Sequence, residues 1–586
     1  MRARELAGSS LLPLPRPTPS EFCALRRQDP LAAPRLRSVA PVEMSMAGHR
    51  VLLLVGFLLP RVLLSEAAKI LTISTLGGSH YLLLDRVSQI LLEHGHNVTM
   101  LLLSGKHLAS DTKDKEKSYQ VIRWFPPEDY QKTVKERFNN YIEKALDGRE
   151  ETEGLVKVME IFGTQCSYLL SRKDIMDSLN NENVDLVFVE GFDFCSFLIA
   201  EKLEKPFVAI LPASFGSLEF GLPSPLSYVP VFYSLLTDRM DFWGRVKNVF
   251  MFFRFSTMQR CLHSTFDNTI KEHFTEGSRP VLSHLLRKAE LWFVNSDFAF
   301  DFARPLLPNT VYVGGLMEKP IKPVPQDLEN FIANFGDAGF VLVAFGSTLD
   351  IYESQEVLKN MHSAFAQLPQ GVIWKCQSSR WPKDVHLATN VKIMDWLPQS
   401  DLLAHPSIRL FVTHGGQNSI MEAIRHGVPM VGLPVNGDQH GNMVRVVAKN
   451  YGVVMQLNQV TADTLALKMK QVIEDKRYKS AVVAGSVILH SQPLSAQQRL
   501  VGWIDHILQT KGAAHLKPYA FQQPWHEQYL IDVFVFLLML TLGTVWLCGK
   551  LLDDLPASLQ AECRMSIHFV NSQDTRSRSM KHAEVH

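Results

Sequence analysis

Short apolar runs alternate with longer stretches of helical periodicity from Lys69 onwards. The first unit joins the run KILTIS, the turn TLGGS and the stretch HYLLLDRVSQILLEHG, whose apolar residues recur at helical spacing. Further apolar runs typical of buried strands are HNVTMLLL, VDLVFVE (184–190), KPFVAILP (205–212), LWFVNS (291–296), FVLVAFG, GVIWKC, VKIMDW, RLFVTH and VPMVGLP. Strands that alternate with helices predict an α/β protein whose parallel sheets are covered on both faces.

A proline-rich stretch divides this pattern into two halves. The segment MEKPIKPVPQD (317–327) has three prolines and no periodicity, which predicts a linker. We therefore expect an N-terminal domain over 68–316 and a C-terminal domain over 328–528, each doubly wound and Rossmann-like. Two such domains place a ligand in the cleft between them, at the carboxyl ends of their strands.

Two other segments have the character of membrane-targeting sequences. Residues 51–59, VLLLVGFLL, follow a basic residue and precede small residues, which predicts a cleavable signal peptide over 46–67. Residues 529–550 are apolar over a length that suits one tilted transmembrane helix, followed by a tail over 551–586. Entry by a signal and arrest at this helix predict a single-pass type I protein with a lumenal body and a cytosolic tail.

The first 45 residues differ from the rest of the chain. They hold seven prolines and seven arginines without apolar periodicity, so 1–45 is predicted to be a disordered extension. Because a signal peptide normally stands at the N-terminus, our hypothesis is that Met46 is the working start. Residues 1–45 would then come from an upstream start or an alternative transcript.

Composition narrows the function only a little. Lys and Arg number 60 against 59 Asp and Glu, so no charge excess points to nucleic acid as a partner. The seven cysteines are scattered, without a disulfide framework or metal-ligand spacing, and indicate no compartment. The sequon Asn97-Val98-Thr99 is in keeping with a lumenal body.

The candidate chemistry is concentrated in residues 396–442. There the strand RLFVTH runs through HGGQNS into the helix SIMEAIRHG. Glycines let the backbone approach a ligand closely, and N–H groups at a helix start attract phosphate. The side chains nearby offer hydrogen-bond donors, a flat ring for a base, and carboxylates that can accept ribose and sugar hydroxyls. These residues are Trp396, Gln399, His414, Asn418, Ser419, Glu422, Asp438 and Gln439. The series suits a nucleotide-sugar, although a Gly-Gly turn with Asn418-Ser419 would by itself merely begin and cap a helix.

The order of these residues resembles the signature of the UDP-glycosyltransferase superfamily: Trp-x-Pro-Gln, Thr-His-Gly-Gly, Asn, Glu and Asp-Gln at matching spacings. The resemblance runs from Met46 to about Lys550, includes GGSH, SYVPV and RPLLPNTVYVGG, and is nearest to family 3, subfamily A. It implies a GT-B fold, in which the C-terminal domain binds the UDP-sugar and the N-terminal domain binds a lipophilic acceptor.

The resemblance also implies a role for individual positions. Trp396 stacks on uracil beside Gln399, and Glu422 holds the ribose. Asp438 and Gln439 hold sugar hydroxyls. The diphosphate is bound by Ser347, His414, Gly416, Asn418 and Ser419.

His80 of GGSH matches the catalytic base of the family. It stands at the start of a predicted helix, where the positive end of the dipole disfavours an imidazolium, and a base must be neutral near pH 7. The orienting carboxylate is usually aspartate, whereas Glu190 stands at the matching position here, with Asp193 as the fallback.

The donor prediction depends on Asn436, where many relatives carry phenylalanine. An amide is smaller and can hydrogen-bond an acetamido group, so we predict UDP-N-acetylglucosamine as co-substrate; UDP-glucose and UDP-glucuronate remain alternatives. The chain has no Asp-x-Asp pair, and the resemblance implies a metal-independent enzyme without a cofactor. The expected acceptor is a bile acid, steroid or flavonoid.

Two other function classes stay open. A catalytically idle member would bind partners in the membrane, and a carrier would use the cleft for lipophilic ligands. The expected location is the endoplasmic reticulum membrane, although the tail after Lys550 lacks the paired lysines that relate to retention there. Homo- or hetero-oligomers are equally open.

Overall fold

The computed structural model describes residues 67–104, 117–146, 152–214, 220–346 and 355–554. The predicted extension 1–45 lies outside the described residues. So do all but the last residue of the predicted signal peptide 46–67 and most of the predicted tail 551–586.

The first half of the described chain builds a parallel sheet of seven strands in the order β3-β2-β1-β4-β5-β6-β7. The order reverses next to β1, as in doubly wound folds, so the carboxyl ends of β1 and β4 flank a crevice. The strands are β1 Lys69–Ser74, β2 Asn97–Leu103, β3 Gln120–Trp124, β4 Leu186–Glu190, β5 Phe207–Leu211, β6 Trp292–Val294 and β7 Thr310–Tyr312.

The second half repeats this plan with six parallel strands in the order β10-β9-β8-β11-β12-β13. Its switch point lies between β8 and β11. The strands are β8 Phe340–Ala344, β9 Gly371–Lys375, β10 Val391–Met394, β11 Ile408–Thr413, β12 Met430–Gly432 and β13 Gly452–Val454. The predicted fold class, two doubly wound α/β halves plus a C-terminal apolar helix, is therefore confirmed.

Helices cover both faces of each sheet, because successive residues of a central strand are buried on opposite sides. In β1, Ile70 packs into one apolar cluster and Leu71 into another. The helices of the N-terminal half are α1 Gly78–Glu93, α2 Glu128–Leu146, α3 Thr152–Leu170, α4 Lys173–Asn181, α5 Phe194–Lys202, α6 Phe242–Ser264, α7 Asp267–His273 and α8 Leu282–Lys288. Those of the C-terminal half are α9 Gln326–Ala333, α10 Gln355–Ala366, α11 Gln399–Leu403, α12 Gln417–Arg425, α13 Gln439–Ala448, α14 Ala462–Glu474 and α15 Lys476–His490.

After α15 the chain returns to the N-terminal half. Helix α16, Ala496–Thr510, buries Leu500, Ile504 and Ile507 in the same cluster as Ile70 of β1. The prediction of one C-terminal domain over 328–528 did not foresee this return, which adds a helix to the N-terminal core.

Cys166 of α3 and Cys195 of α5 form a disulfide, with their Cα atoms 5.4 Å apart. The sequence pattern gave no sign of it, and the inference that the cysteines form no disulfide framework is corrected for this pair. Their separation of 29 residues is unremarkable in the sequence, and only the packing of α3 against α5 brings them together.

The last two described helices are α17, Trp525–Gln528, and α18, Ile531–Asp553. The 23 residues of α18 have a mean hydropathy of 2.2 over their most apolar window, and none is buried against the rest of the chain. Exposed Trp525 and Tyr529 precede it, and Trp546 lies near its end. A helix of this length with aromatic residues at both ends is typical of one bilayer span.

Candidate functional site

His80 and Glu190 meet at the crevice of the N-terminal sheet. Gly78 takes φ +64 at the start of α1, and His80 follows in the first helical turn. Glu190 is the last residue of β4, the neighbour of β1, so the two carboxyl ends bring these side chains together. Nδ1 of His80 lies 3.1 Å from Oε2 of Glu190, while the N–H of Phe192 donates to Oε1 at 3.0 Å. The carboxylate is almost fully buried, whereas the His80 side chain is 29% exposed.

Asp193, the alternative partner, has other contacts. Its carboxylate accepts the hydroxyl of Thr75 at 2.6 Å and the N–H of Cys195 at 3.2 Å, so it caps α5. Burial raises the pKa of Asp193 to about 7. Of the two carboxyl groups, only Glu190 is within hydrogen-bonding distance of His80 among the described contacts.

The expected effect of the helix start on His80 is outweighed in this structure. Burial lowers the pKa of His80, but the charge and hydrogen bond of Glu190, together with the nearby charge of Asp438, raise it above the ordinary value overall. The effect of the helix start itself stays a prediction, because the causes of this shift are burial and the surrounding carboxylates. The imidazole of His80 is neutral only above this raised pKa.

The first three residues of HGGQNS form a tight turn between β11 and α12, and the last three begin α12. Gly415 has φ +86, and Gly416 precedes α12 without any side-chain cap on the helix. The His414 ring packs against two glycines: a Cβ on Gly416 would lie 2.4 Å from its Nε2, and one on Gly346 would lie 2.8 Å from it. The glycines thus leave room for His414 beside uncapped backbone N–H groups, an arrangement that suits a diphosphate.

Burial, and to a lesser extent the charge of Lys375, lower the pKa of His414 to about 4. The imidazole is therefore neutral near pH 7, and it offers a hydrogen bond but no full positive charge to a ligand. Lys375 supplies the positive charge nearby. Its ammonium donates to the carbonyl of Gly346 at 2.8 Å and lies 4.4 Å from the ring centroid of Trp396.

A polar network links α11 to α12. The Gln399 amide donates to Glu422 at 2.9 Å and to the hydroxyl of Ser419 at 3.2 Å. Burial raises the pKa of Glu422 to about 7. Trp396, three residues before Gln399, is 61% exposed and presents a flat ring to solvent. Of the three residues that the resemblance assigned to base and ribose, Gln399 and Glu422 are therefore in direct contact.

The turn before α13 faces the N-terminal half. The Gln439 oxygen accepts the N–H groups of Val435 and Asn436 at 2.9 and 3.1 Å, and its NH2 group donates to the Asn436 side-chain oxygen at 2.9 Å. Asp438 accepts from Asn442 at 2.7 Å and interacts electrostatically with His80. Burial raises the pKa of Asp438. Gln439 thus stabilises the turn, and most of the hydrogen-bonding groups of its side chain are used there.

Comparison with known proteins gives this arrangement a family. The family described as "UDP-glucoronosyl and UDP-glucosyl transferase" matches residues 68–565. Human UDP-glucuronosyltransferase 3A1 is 85% identical over 507 residues, which cover 86% of this chain and 97% of the human protein. Mouse 2-hydroxyacylsphingosine 1-beta-galactosyltransferase is 34% identical over 81% of this chain and 86% of its own length. The chain belongs to family 3, subfamily A, of the UDP-glycosyltransferases.

The solved structures agree on the fold of this UDP-glycosyltransferase. The calicheamicin glycosyltransferase CalG4 superposes with a TM-score of 0.52 at 18% identity, over 75% of this chain and 98% of CalG4. At this identity the likeness establishes the GT-B fold alone. Together with the family, it identifies the protein as a hexosyltransferase that uses a UDP-sugar.

Residues missed by the sequence analysis connect the two halves of the transferase. Asn295, just after β6, donates its side-chain amide to Asn418 at 2.8 Å. Gln417 donates to the carbonyl of Asn295 and to the hydroxyl of Ser296, each at 3.1 Å. The polar residues that end LWFVNS, at the carboxyl end of a predicted strand, were the available signal. Ser347 lies outside the described residues.

A second opening of the transferase lies between the halves, beside α13. Its walls come from the segment 228–236 and from residues 301–304 of the N-terminal half, and from Gly441, Val444 and Arg445 of α13. Asp301 pairs with Arg445 at 3.0 Å inside it. The aromatic residues Tyr228, Phe232 and Tyr233 of the first segment therefore line a cavity between the two halves.

Proposed function

We propose that this transferase moves N-acetylglucosamine from UDP-N-acetylglucosamine to a hydroxyl of a small lipophilic acceptor, with inversion at the anomeric carbon. The observation that carries the proposal is the buried Glu190 carboxylate against Nδ1 of His80, with Asp438 of the other half close enough to interact with that histidine. A base oriented in this way across a cleft from a diphosphate-binding turn suits a single in-line displacement.

The step needs only groups of the chain and its two substrates. Glu190 holds the Nδ1 proton of His80, so Nε2 accepts the proton of the acceptor hydroxyl. The acceptor oxygen bonds to the anomeric carbon as the bond from that carbon to the diphosphate breaks. UDP leaves toward the N-terminus of α12, whose N–H groups and the neighbouring His414 stabilise its charge. One displacement inverts the configuration.

For the donor, we assign the uracil to Trp396 with Gln399, and the ribose to Glu422. We assign the diphosphate to Ser347, His414, Gly416, Asn418 and Ser419. Asp438 is placed at the sugar hydroxyls, with Gln439 as the residue that shapes their turn. These assignments are supported by the shared cleft of the described side chains and by membership of the family.

The choice of sugar depends on Asn436. Its side-chain oxygen is occupied by Gln439, which fixes the plane of the amide, and its NH2 group donates to no described residue. Such a donor beside Asp438 fits an acetamido oxygen.

UDP-glucuronate is the second candidate, because two human relatives that are 85% and 75% identical carry the name UDP-glucuronosyltransferase. A glucuronate carboxylate calls for a cation, and Arg445 of α13 is already paired with Asp301. We therefore rank UDP-glucuronate below UDP-N-acetylglucosamine.

For the acceptor, we propose a lipophilic hydroxyl compound of the bile acid, steroid or flavonoid type. The name of the mouse galactosyltransferase indicates an acylsphingosine acceptor for that relative, which supports a lipophilic class here. We further propose that the body lies in the lumen of the endoplasmic reticulum, with α18 as a single type I span. A disulfide is favoured in that oxidising compartment, and the predicted signal and sequon agree.

The test is UDP release by the full-length protein, with each UDP-sugar in turn and a pooled set of phenolic and steroid acceptors. We expect release with UDP-N-acetylglucosamine that falls about 10²- to 10⁴-fold in His80→Ala. Undiminished release by that variant would contradict the assigned base. Absence of release by the wild type with every donor would favour an idle binding protein or a carrier.

A further inference from the structure

Helix α6, Phe242–Ser264, presents two opposite apolar faces, and only one of them packs on the protein. The packed face buries Met251, Phe255, Met258 and Leu262 in the core of the N-terminal half. The other face exposes large apolar side chains to solvent, with exposed fractions from 42% to 73%: Phe242, Trp243, Val246, Val249, Phe250 and Phe253. At about 100° per residue these six fall in one stripe about 120° wide.

The charged residues of α6 that border this stripe are all basic. The segment contains no Asp or Glu between Phe242 and Ser264. Arg245 borders one side of the stripe, and Lys247 with Arg254 border the other. A contiguous apolar stripe between basic edges is the pattern of helices that lie in a lipid headgroup layer, where the edges meet phosphates.

We propose that this stripe docks α6 on the phospholipid surface beside the transmembrane span. The occupant is a membrane because α18 already holds the chain at one, and because the basic edges complement phosphate groups. A second protein copy would have to offer a surface complementary to aromatic rings at the centre of the stripe and to cations at both edges, so we choose the membrane as the occupant.

The opposite side of the same helix reaches the cavity between the halves. Asn248 is fully buried, donates to the carbonyls of Leu226 and Val229, and accepts the N–H of Val231. These hydrogen bonds attach the segment 228–236, which lines the cavity, to α6. Phe255 of α6 lines the cavity directly. A lipophilic acceptor dissolved in the membrane would therefore enter next to the docked helix. This consequence, unlike the docking itself, rests on the proposed function.

The test uses the full-length protein in phospholipid nanodiscs with and without anionic lipid. Phe250→p-benzoylphenylalanine and Phe253→p-benzoylphenylalanine place a photocrosslinker on the stripe, and Leu467→p-benzoylphenylalanine is the control. Leu467 and Phe250 are both 67% exposed, but Leu467 lies on α14 of the C-terminal half. After irradiation, peptide mass spectrometry reports adducts with lipid or with protein.

We expect lipid adducts at positions 250 and 253 and few at 467. In anionic nanodiscs, Lys247→Gln is expected to lower the adduct yield by up to about fivefold, from the contribution of one basic residue near a charged surface. Equal yields at all three positions, or adducts to a second protein copy, would overturn the proposal. An unchanged yield in Lys247→Gln would overturn the role of the basic edge.

The crosslinking requires no turnover, so its outcome is separate from that of the proposed reaction. If the protein is active, Phe250→Ser with Phe253→Ser is expected to raise KM severalfold for a membrane-soluble steroid in nanodiscs. KM for a water-soluble phenol should stay unchanged. Equal KM changes for both acceptors would show that the stripe has no part in acceptor entry.

Discussion

Replacing Glu190 by glutamine is expected to impair the transferase more than replacing it by alanine. In the wild type, one carboxylate oxygen accepts the Phe192 N–H and the other faces Nδ1 of His80, at 3.0 and 3.1 Å. In a glutamine only the amide oxygen can accept the Phe192 N–H, so the NH2 group faces His80. That donor requires an unprotonated Nδ1, which puts the imidazole proton on Nε2. The nitrogen that must accept the proton of the acceptor is then blocked.

The magnitude follows from the tautomer. An amide in place of the orienting carboxylate of a catalytic histidine lowers kcat by about 10⁴ in a serine protease, through the same exchange of tautomers. His80 is 29% exposed and can partly turn away, so we expect a loss of about 10³. That factor corresponds to about 4 kcal/mol of transition-state stabilisation. Glu190→Ala removes the orienting group without imposing a tautomer, and a loss of about 10² is expected.

The pH dependence of kcat/KM tests the role of Glu190 independently. Protonated His80 cannot act as a base, so activity is lost as the pH falls through its pKa. Burial lowers this pKa, while Glu190 and Asp438 raise it above 6.5 overall. Glu190→Ala removes the first of these two carboxylates, so the acid limb of kcat/KM must move to lower pH while the plateau falls.

The assay is UDP release across the neutral pH range, with thermal unfolding of each variant to establish that it folds. Glu201→Gln is the matched control, because this carboxylate of α5 pairs with Lys288 outside the site. Greater activity in Glu190→Gln than in Glu190→Ala would refute the tautomer argument. An acid limb that stays in place in Glu190→Ala would refute the electrostatic one.

Four further predictions concern the donor site and stability. Asn436→Phe should lower kcat/KM for UDP-N-acetylglucosamine relative to UDP-glucose by about tenfold or more, measured by donor competition. Trp396→Ala should raise the KM of every UDP-sugar alike, since stacking on a base contributes about 1–3 kcal/mol. Gly416→Ala should weaken binding of UDP in calorimetry, because its Cβ would lie 2.4 Å from Nε2 of His414. Cys166→Ser should lower the free energy of unfolding by about 3 kcal/mol in denaturant titration, and reductant should add no further loss in that variant.

The sequence predicted the fold well for a physical reason. Central parallel strands are buried on both faces, so they read as continuous apolar runs such as those of β4, β5 and β8. The three strands that escaped prediction, β3, β7 and β13, stand at sheet edges. The edge strand β3 is only partly buried, and the other two have three residues each, so their apolar signal is weak.

The residues of the candidate site likewise fall into those that a local sequence motif could bring together and those that only tertiary packing brings together. Trp396, Gln399 and Glu422 lie within 27 positions of one another, and a local motif could place them together. The choice between Glu190 and Asp193 could not be made from sequence, because Glu190 ends β4 and Asp193 follows it by only three residues. Tertiary packing engages Asp193 with Thr75 and with the start of α5, and it leaves Glu190 as the carboxylate against His80.

The protonation of His80 is coupled to the closeness of the two halves. Asp438 belongs to the C-terminal half, yet its charge helps to raise the pKa of His80 in the N-terminal half. The contact of Asn295 with Asn418 is one of the bonds that hold the halves together beside this pair. If the cleft opens, the contribution of Asp438 is lost and the pKa of His80 must fall. A shift of the acid limb to lower pH in Asn295→Ala, with Glu190 intact, would therefore report opening of the cleft, and an unshifted limb would show that the halves stay together without that bond.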